Sequence, residues 1–216
     1  MTPGHRDQDK VFRYSICVSG AASGDTVKQG AALARKVGEE IAKSGHILTT
    51  GATIGLPYYA ALGTKAKGGM SIGFSPAVSF REHLHKYRLP VSCFDFINFT
   101  GLHYVGRDLY LVQSSDAVIT IGGRFGSLHE FTSALEAHKP CGILLGSGGT
   151  ADQIPKLMEV LPPPHASLVV YDTDPERLVK KVVRMLDEKN KDIENSWQKL
   201  SAEWFVDDTN PPQRAG

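Results

Sequence analysis

Residues 116–130, Asp-Ala-Val-Ile-Thr-Ile-Gly-Gly-Arg-Phe-Gly-Ser-Leu-His-Glu, run from an apolar strand through a glycine-rich turn straight into a helix. A strand that ends this way must feed a crossover, because the helix has to return over the sheet before another parallel strand can begin. The same order exposes helix-start amides, which have no intrahelical partners and sit at the positive end of the dipole. Gly122, Gly123 and Gly126 remove the side chains that would hold an anion away from them. An anionic ligand is expected there. Ser127-Leu-His-Glu130 is also an S-x-x-E pattern, in which the Ser hydroxyl and the Glu carboxylate satisfy the first amides of a helix beginning at Ser127. Glu130 is therefore a cap on one reading and a catalytic group on the other.

Upstream, Gly106-Arg107-Asp108 opens a helical segment with Leu109, Leu111 and Val112 as apolar contacts, and Ser114-Ser115-Asp116 closes it. An arginine near the mouth of a glycine turn supplies the planar, bidentate donor that phosphates and carboxylates favour.

The rest of the chain alternates strand and helix. Tyr14–Ser19 reads as a buried strand ending at Gly20, and Asp25 is placed to cap an Ala-rich helix reaching about Ser44. His46–Thr50 is a strand, Gly51–Gly55 a turn, Leu56 to about Lys67 a helix, and Gly69–Phe74 a third strand. Between Ser75 and Leu89 the periodicity is lost, and we read a surface excursion in which His83 and His85 are solvated. Two histidines two residues apart point different ways on a helix, and no metal-ligand cluster accompanies them. Further strands are Phe94–Asn98, Val118–Ile121, Gly142–Leu145 and Leu168–Tyr171. Asp174 with Pro175 then starts a helix whose apolar side is Leu178, Val182, Val183 and Met185.

This alternation predicts an α/β, three-layer, doubly wound and mainly parallel sheet, with the ligand beyond the carboxyl ends of the strands at a switch point. Ser19, Gly20, Gly51, Gly55 and the Gly122 turn all fall at such ends. No G-x-G-x-x-G or P-loop pattern occurs, which weighs against ordinary NAD binding and nucleotide-triphosphate hydrolysis. We assign a mobile start (1–13), one domain (14–189) and a polar tail (190–216) in which Trp197, Trp204 and Phe205 are isolated anchors.

With 216 residues, 41% hydrophobic and 22% charged, the chain has enough material for one well-packed domain. A net charge of +1 and no Lys/Arg run beyond two residues disfavour a nucleic-acid partner. Cys17, Cys93 and Cys141 are too scattered for a disulfide framework or a zinc site. The polar N-terminus is unlike a signal peptide, and no apolar run approaches the roughly 20 residues of a membrane span. A cytoplasmic protein without cofactor, metal or membrane partner is expected.

Taken together, Thr50-Gly-Ala-Thr-Ile-Gly-Leu56, Gly68-Gly-Met-Ser-Ile-Gly73, Arg107 and Gly122–Glu130 resemble the LONELY GUY (LOG) superfamily over roughly residues 14–186. The family signature P-G-G-x-G-T-x-x-E falls without a gap on Gly122–Glu130, and the family arginine falls on Arg107. Gly122 stands where the family has Pro, Arg124 where it has the second Gly, Ser127 where it has Thr, and His129 where phosphoribohydrolases carry a further Glu. In the first signature, G-G-G-x-x-G-L-M, Thr50, Gly51 and Ala52 stand for the three glycines and Pro57 for Met.

The resemblance implies a Rossmann-like homodimer or larger homo-oligomer that hydrolyses the N-glycosidic bond of a nucleoside 5′-monophosphate. Arg107 and Glu130 would be catalytic. Ser19, Gly20, Gly51, Gly55, Gly122, Gly123, Arg124, Gly126 and Ser127 would bind the nucleotide or its phosphate. The alternative it implies is a non-catalytic carrier or sensor of a nucleotide or a molybdopterin-like cofactor, with Arg124 serving a more highly charged ligand.

Overall fold

The computed structural model describes residues 13–160, 164, 166–193, 196 and 199. The assigned mobile start, apart from Arg13, lies outside the described residues, as do Trp197, Trp204 and Phe205. The elements are β1 (Ser15–Gly20), α1 (Asp25–Lys43), β2 (Ile47–Thr50), α2 (Leu56–Ala66), β3 (Ser71–Ser75), α3 (Phe80–His85), β4 (Phe96–Phe99), α4 (His103–Gln113), β5 (Ala117–Ile121), α5 (Phe125–Glu136), β6 (Cys141–Leu144), α6 (Gly149–Val160), β7 (Val169–Asp172) and α7 (Pro175–Lys189). Arg13–Leu186 forms one compact unit, which holds every strand of the described residues. Among the described residues no helix is long and apolar enough to cross a membrane.

All seven strands are parallel, in the order β4-β3-β2-β1-β5-β6-β7. The chain lays strands outward from β1 on one side, then returns to place β5 against its other edge. That reversal is the switch point, and its register pairs Ser19 with Thr120 and Gly20 with Ile121.

Both faces of the sheet are covered, as a wholly parallel sheet requires. One face packs Ile16, Val18, Ile119 and Ile121 against Ala34, Val37 and Ile41 of α1, Leu56, Ala60 and Ala61 of α2, and Leu178 and Val182 of α7. The other packs Cys17 and Val118 against Leu111 and Val112 of α4, Phe131 and Ala134 of α5, and Ala151 and Ile154 of α6. In α1 the buried positions 30, 34, 37, 38 and 41 follow the helical period. A Cβ on Gly38 would lie 1.9 Å from the Ala60 carbonyl oxygen, so the backbones of α1 and α2 touch where both carry small residues. Asp174 caps α7 as read, its Oδ1 accepting from Arg177 N at 2.8 Å.

Some expectations change. Gly24, not Asp25, is the N-cap of α1, and Asp25 is its first residue. The helix carrying Arg107 begins earlier, at His103. The sequence pattern shows no helix between Leu145 and Leu168, yet α6 forms there despite Pro155. The stretch 75–89 contains α3, capped by Ser79 Oγ accepting from Glu82 N at 3.2 Å. His83 is buried rather than solvated. Its Nε2 lies 3.0 Å from the Pro90 carbonyl, which only accepts, so that nitrogen carries the proton and Nδ1 accepts from Ser75 Oγ at 2.8 Å. His85 is exposed, as expected.

Candidate functional site

Ser19 closes β1 at the switch point, and its hydroxyl donates to Glu130 Oε2 across the crevice. Glu130 is only 8% exposed. The cap of α5 is Arg124, which makes no side-chain capping bond, so Ser127 is the third helical residue and Glu130 the sixth. The capping box expected at Ser127–Glu130 is thus not formed: two turns in, Glu130 cannot reach the orphan amides, and it points down onto β1 instead.

Arg107 reaches the same place from α4. Its Nη1 donates to the Phe74 carbonyl at the end of β3 at 3.1 Å, and it passes directly over the end of β2. A Cβ on Gly51 would lie 1.7 Å from that Nη1, so glycine at 51 is what admits the guanidinium. Arg107 Nε lies 3.1 Å from Asp108 Oδ1 yet has no hydrogen-bond partner. Asp108, absent from the sequence-based site, is buried here too, with Oδ2 3.5 Å from His129 Nδ1. The available signal was its position between the inward-facing Arg107 and Leu111 on one helix.

The site therefore holds two buried carboxylates and one buried guanidinium. Burial, then the neighbouring Asp108 carboxylate, raises Glu130 to about 7, while Arg107 and the Ser19 hydroxyl pull it down. Burial and Glu130 also push the Cys17 thiol well up, which keeps it a thiol and unreactive. A carboxyl raised in the folded state binds its proton more tightly there than in the unfolded chain. Its contribution to stability is full below pH 4.5 and is lost as pH rises through about 7. We expect wild type to lose on the order of 3 kcal/mol relative to Glu130→Gln across that window. Urea unfolding of both proteins at several pH values checks this, and parallel curves would show that Glu130 is not raised.

The turn after β5 is clamped from behind. Gly122 N donates to Ser147 Oγ at 2.8 Å, and that hydroxyl donates to the Leu144 carbonyl at 2.5 Å. Thr150 N and Ala151 N donate to the carbonyls of Gly123 and Gly122 at 3.1 and 2.9 Å. The Gly122 amide, expected to hold a phosphate, is thus already bonded. Gly123 has φ 97°, a left-handed conformation that favours glycine, and a Cβ there would lie 2.5 Å from Ser127 Cβ. A Cβ on Gly126 would meet nothing within 4 Å, so space is open on that side of the turn.

Arg124 is exposed, and its Nη2 donates to Ser23 Oγ at 3.1 Å in the β1–α1 loop. Gly20 and Gly55 permit close packing of the crevice floor: a Cβ on Gly20 would lie 2.8 Å from the Ile121 carbonyl oxygen, and one on Gly55 2.3 Å from that of Ala21. The fold thus gathers Ser19, Gly51, Arg107 and Glu130 at one point and leaves Arg124 at the rim. Among the described residues no three His, Cys, Asp or Glu side chains form a metal-binding group.

The family model for the SLOG cluster4 family matches residues 13–179, from the residues before β1 into α7. The chain belongs to the SLOG cluster4 family. The LOG-like, Rossmann-like character expected from the motifs is thereby established, with the sheet wholly parallel. An uncharacterised protein from Archaeoglobus fulgidus is 32% identical over 132 residues, covering 60% of this chain and 78% of its own. The solved molybdenum cofactor carrier protein from Chlamydomonas reinhardtii is 27% identical with a TM-score of 0.66, over 81% of this SLOG chain and 99% of the carrier. The molybdenum cofactor binding protein from the phototrophic bacterium Rippkaea orientalis is 25% identical with a TM-score of 0.66, over 82% and 99%.

Proposed function

We propose that this SLOG chain binds a nucleoside 5′-monophosphate in the crevice at the β1/β5 switch point and hydrolyses its N-glycosidic bond to free base and ribose 5-phosphate. The observation that carries the reading is Glu130, a buried carboxyl that caps nothing, is anchored by Ser19 and shares its pocket with Asp108. As the base leaves, positive charge builds on the ribosyl carbon, and a carboxylate there stabilises it and orients the attacking water. A group poised near neutrality also takes up the proton that water releases, the hydroxyl bonding to the ribosyl carbon as the bond to the base breaks and the proton ending on the departing base. Arg107, held between the Phe74 carbonyl and Asp108, orients the ligand. The first-turn amides of α5, with Gly123, Gly126 and Ser127, hold the phosphate.

A carrier of a phosphorylated cofactor is the second reading, favoured by the likeness to molybdenum cofactor carriers and by the exposed Arg124 guanidinium beside the turn. Incubating the purified protein with adenosine 5′-monophosphate (AMP) and other monophosphates, and assaying released base, separates the two. Saturable binding with no base released would sink hydrolysis and leave the carrier. Three buried free thiols suit a reducing, cytoplasmic setting.

The implied homodimer would form on the outer face of α4, where Leu102, Val105 and Leu109 are exposed at helical spacing. A shallow, open depression of about 320 Å³ lies on that side, between α4 and α5, beside Leu109 and Thr132. Light scattering at micromolar concentration should give twice the chain mass, and a monomer mass would count against this face.

A further inference from the structure

Tyr104 lies three and four residues before Arg107 and Asp108, so it belongs to the same face of α4 one turn earlier. Because α4 starts beyond the carboxyl end of β4, that first turn stands clear of the sheet. Tyr104 is 46% exposed where Arg107 is 4%. Its ring centroid lies 5.8 Å from Arg107 Cζ, beside the buried guanidinium that pairs with Asp108.

The ring is nevertheless held in one pose. Tyr87 meets it perpendicularly at 5.5 Å, with an interplanar angle of 86°. Tyr87 is itself fixed, its hydroxyl 2.9 Å from His103 Nδ1 and Lys86 Nζ 5.1 Å from its ring centroid. An aromatic side chain has few torsions to immobilise, and here packing sets them before any ligand arrives. An exposed ring, pre-oriented at the mouth of a crevice and touching its buried cation, is the arrangement that stacks a planar ligand.

We infer that Tyr104 is the stacking platform for the heteroaromatic base of a nucleotide, on the β3–β4 side of the crevice beside Arg107. This rests on the nucleotide-binding reading above and adds where the base sits. Every nucleobase presents a π face, so the platform distinguishes a nucleotide from a bare sugar phosphate rather than one base from another.

The test is equilibrium binding of AMP and of ribose 5-phosphate to the full chain as wild type, Tyr104→Ala and Tyr104→Phe. Wild type should bind AMP the more tightly. Tyr104→Ala should weaken AMP by about tenfold or more and leave ribose 5-phosphate unchanged, while Tyr104→Phe keeps the AMP affinity. Equal losses for both probes would show that Tyr104 only supports Arg107, and undiminished AMP binding in Tyr104→Ala would put the base elsewhere. Either result overturns the platform while ribose 5-phosphate binding keeps the phosphate site standing. Binding of neither probe to wild type would bring down the nucleotide reading and the platform together.

Discussion

Glu130→Gln is expected to cut base release from a nucleoside monophosphate by roughly 10²- to 10⁴-fold while ligand affinity stays near wild type. The amide keeps the shape of the side chain and can still bond to Ser19 Oγ, but it cannot become an anion. Charge is what the mechanism uses, since the ribosyl carbon turns cationic only as the base departs. Fold integrity is not at stake, because glutamine is the isostere of the protonated acid that burial and Asp108 already favour in the folded state. Single-turnover assay of released base, beside a binding titration, gives the answer. Wild-type turnover in the variant would remove Glu130 from the chemistry.

Gly51→Ala should weaken ligand binding while the protein stays folded. The added Cβ would lie 1.7 Å from Arg107 Nη1, 2.6 Å from Cζ and 2.9 Å from Nη2, all at the far end of a flexible side chain. Arg107 can swing aside without moving the backbone, and stability falls by only about 1–3 kcal/mol for the overpacking and the lost bond to Phe74. The guanidinium, however, no longer meets the ligand, and affinity for AMP should drop by roughly tenfold or more, as for a lost charge-assisted contact. Urea unfolding and AMP titration on the same preparation compare the two losses. Undiminished affinity would mean that Arg107 does not touch the ligand.

What could be read from residues alone is shown by two of the S-x-x-E matches, Ser79–Glu82 and Ser127–Glu130. The first forms a cap: Ser79 Oγ accepts from Glu82 N, and Glu82 Oε2 accepts from Val78 N at 2.8 Å. The second, which carried the capping expectation, forms none. Local spacing is the same in both, and the difference lies in what stands opposite. Glu130 faces Ser19 on a strand far away in sequence, and no window of neighbouring residues contains that information.

The alternation of strands and helices was legible because each buried strand is a compact apolar run bounded by glycine, and α1 and α7 have long amphipathic faces. Six-residue α3 is too short to show a period, and α6 is masked by its glycine-rich start and Pro155. Asp108 escaped for the opposite reason. Charge in a helix is usually solvated, and only the packing of α4 against α5 makes it a buried neighbour of Glu130.

The order in which the sheet is laid down bears on how the protein is made. Ser19 and Glu130 are 111 residues apart in sequence, and β1 gains its second neighbour only when β5 arrives. During synthesis the central strand of the sheet waits with one edge bare while β2, β3 and β4 are added on the other. At roughly 5–20 residues per second that wait lasts about 5–20 s. An unpaired edge flanked by apolar side chains is a template for the wrong strand, so a nascent chain that stops before Ala117 leaves the edge of β1 open to mispairing. The crevice is accordingly among the last features to form, and a chain that has its site has already finished its sheet.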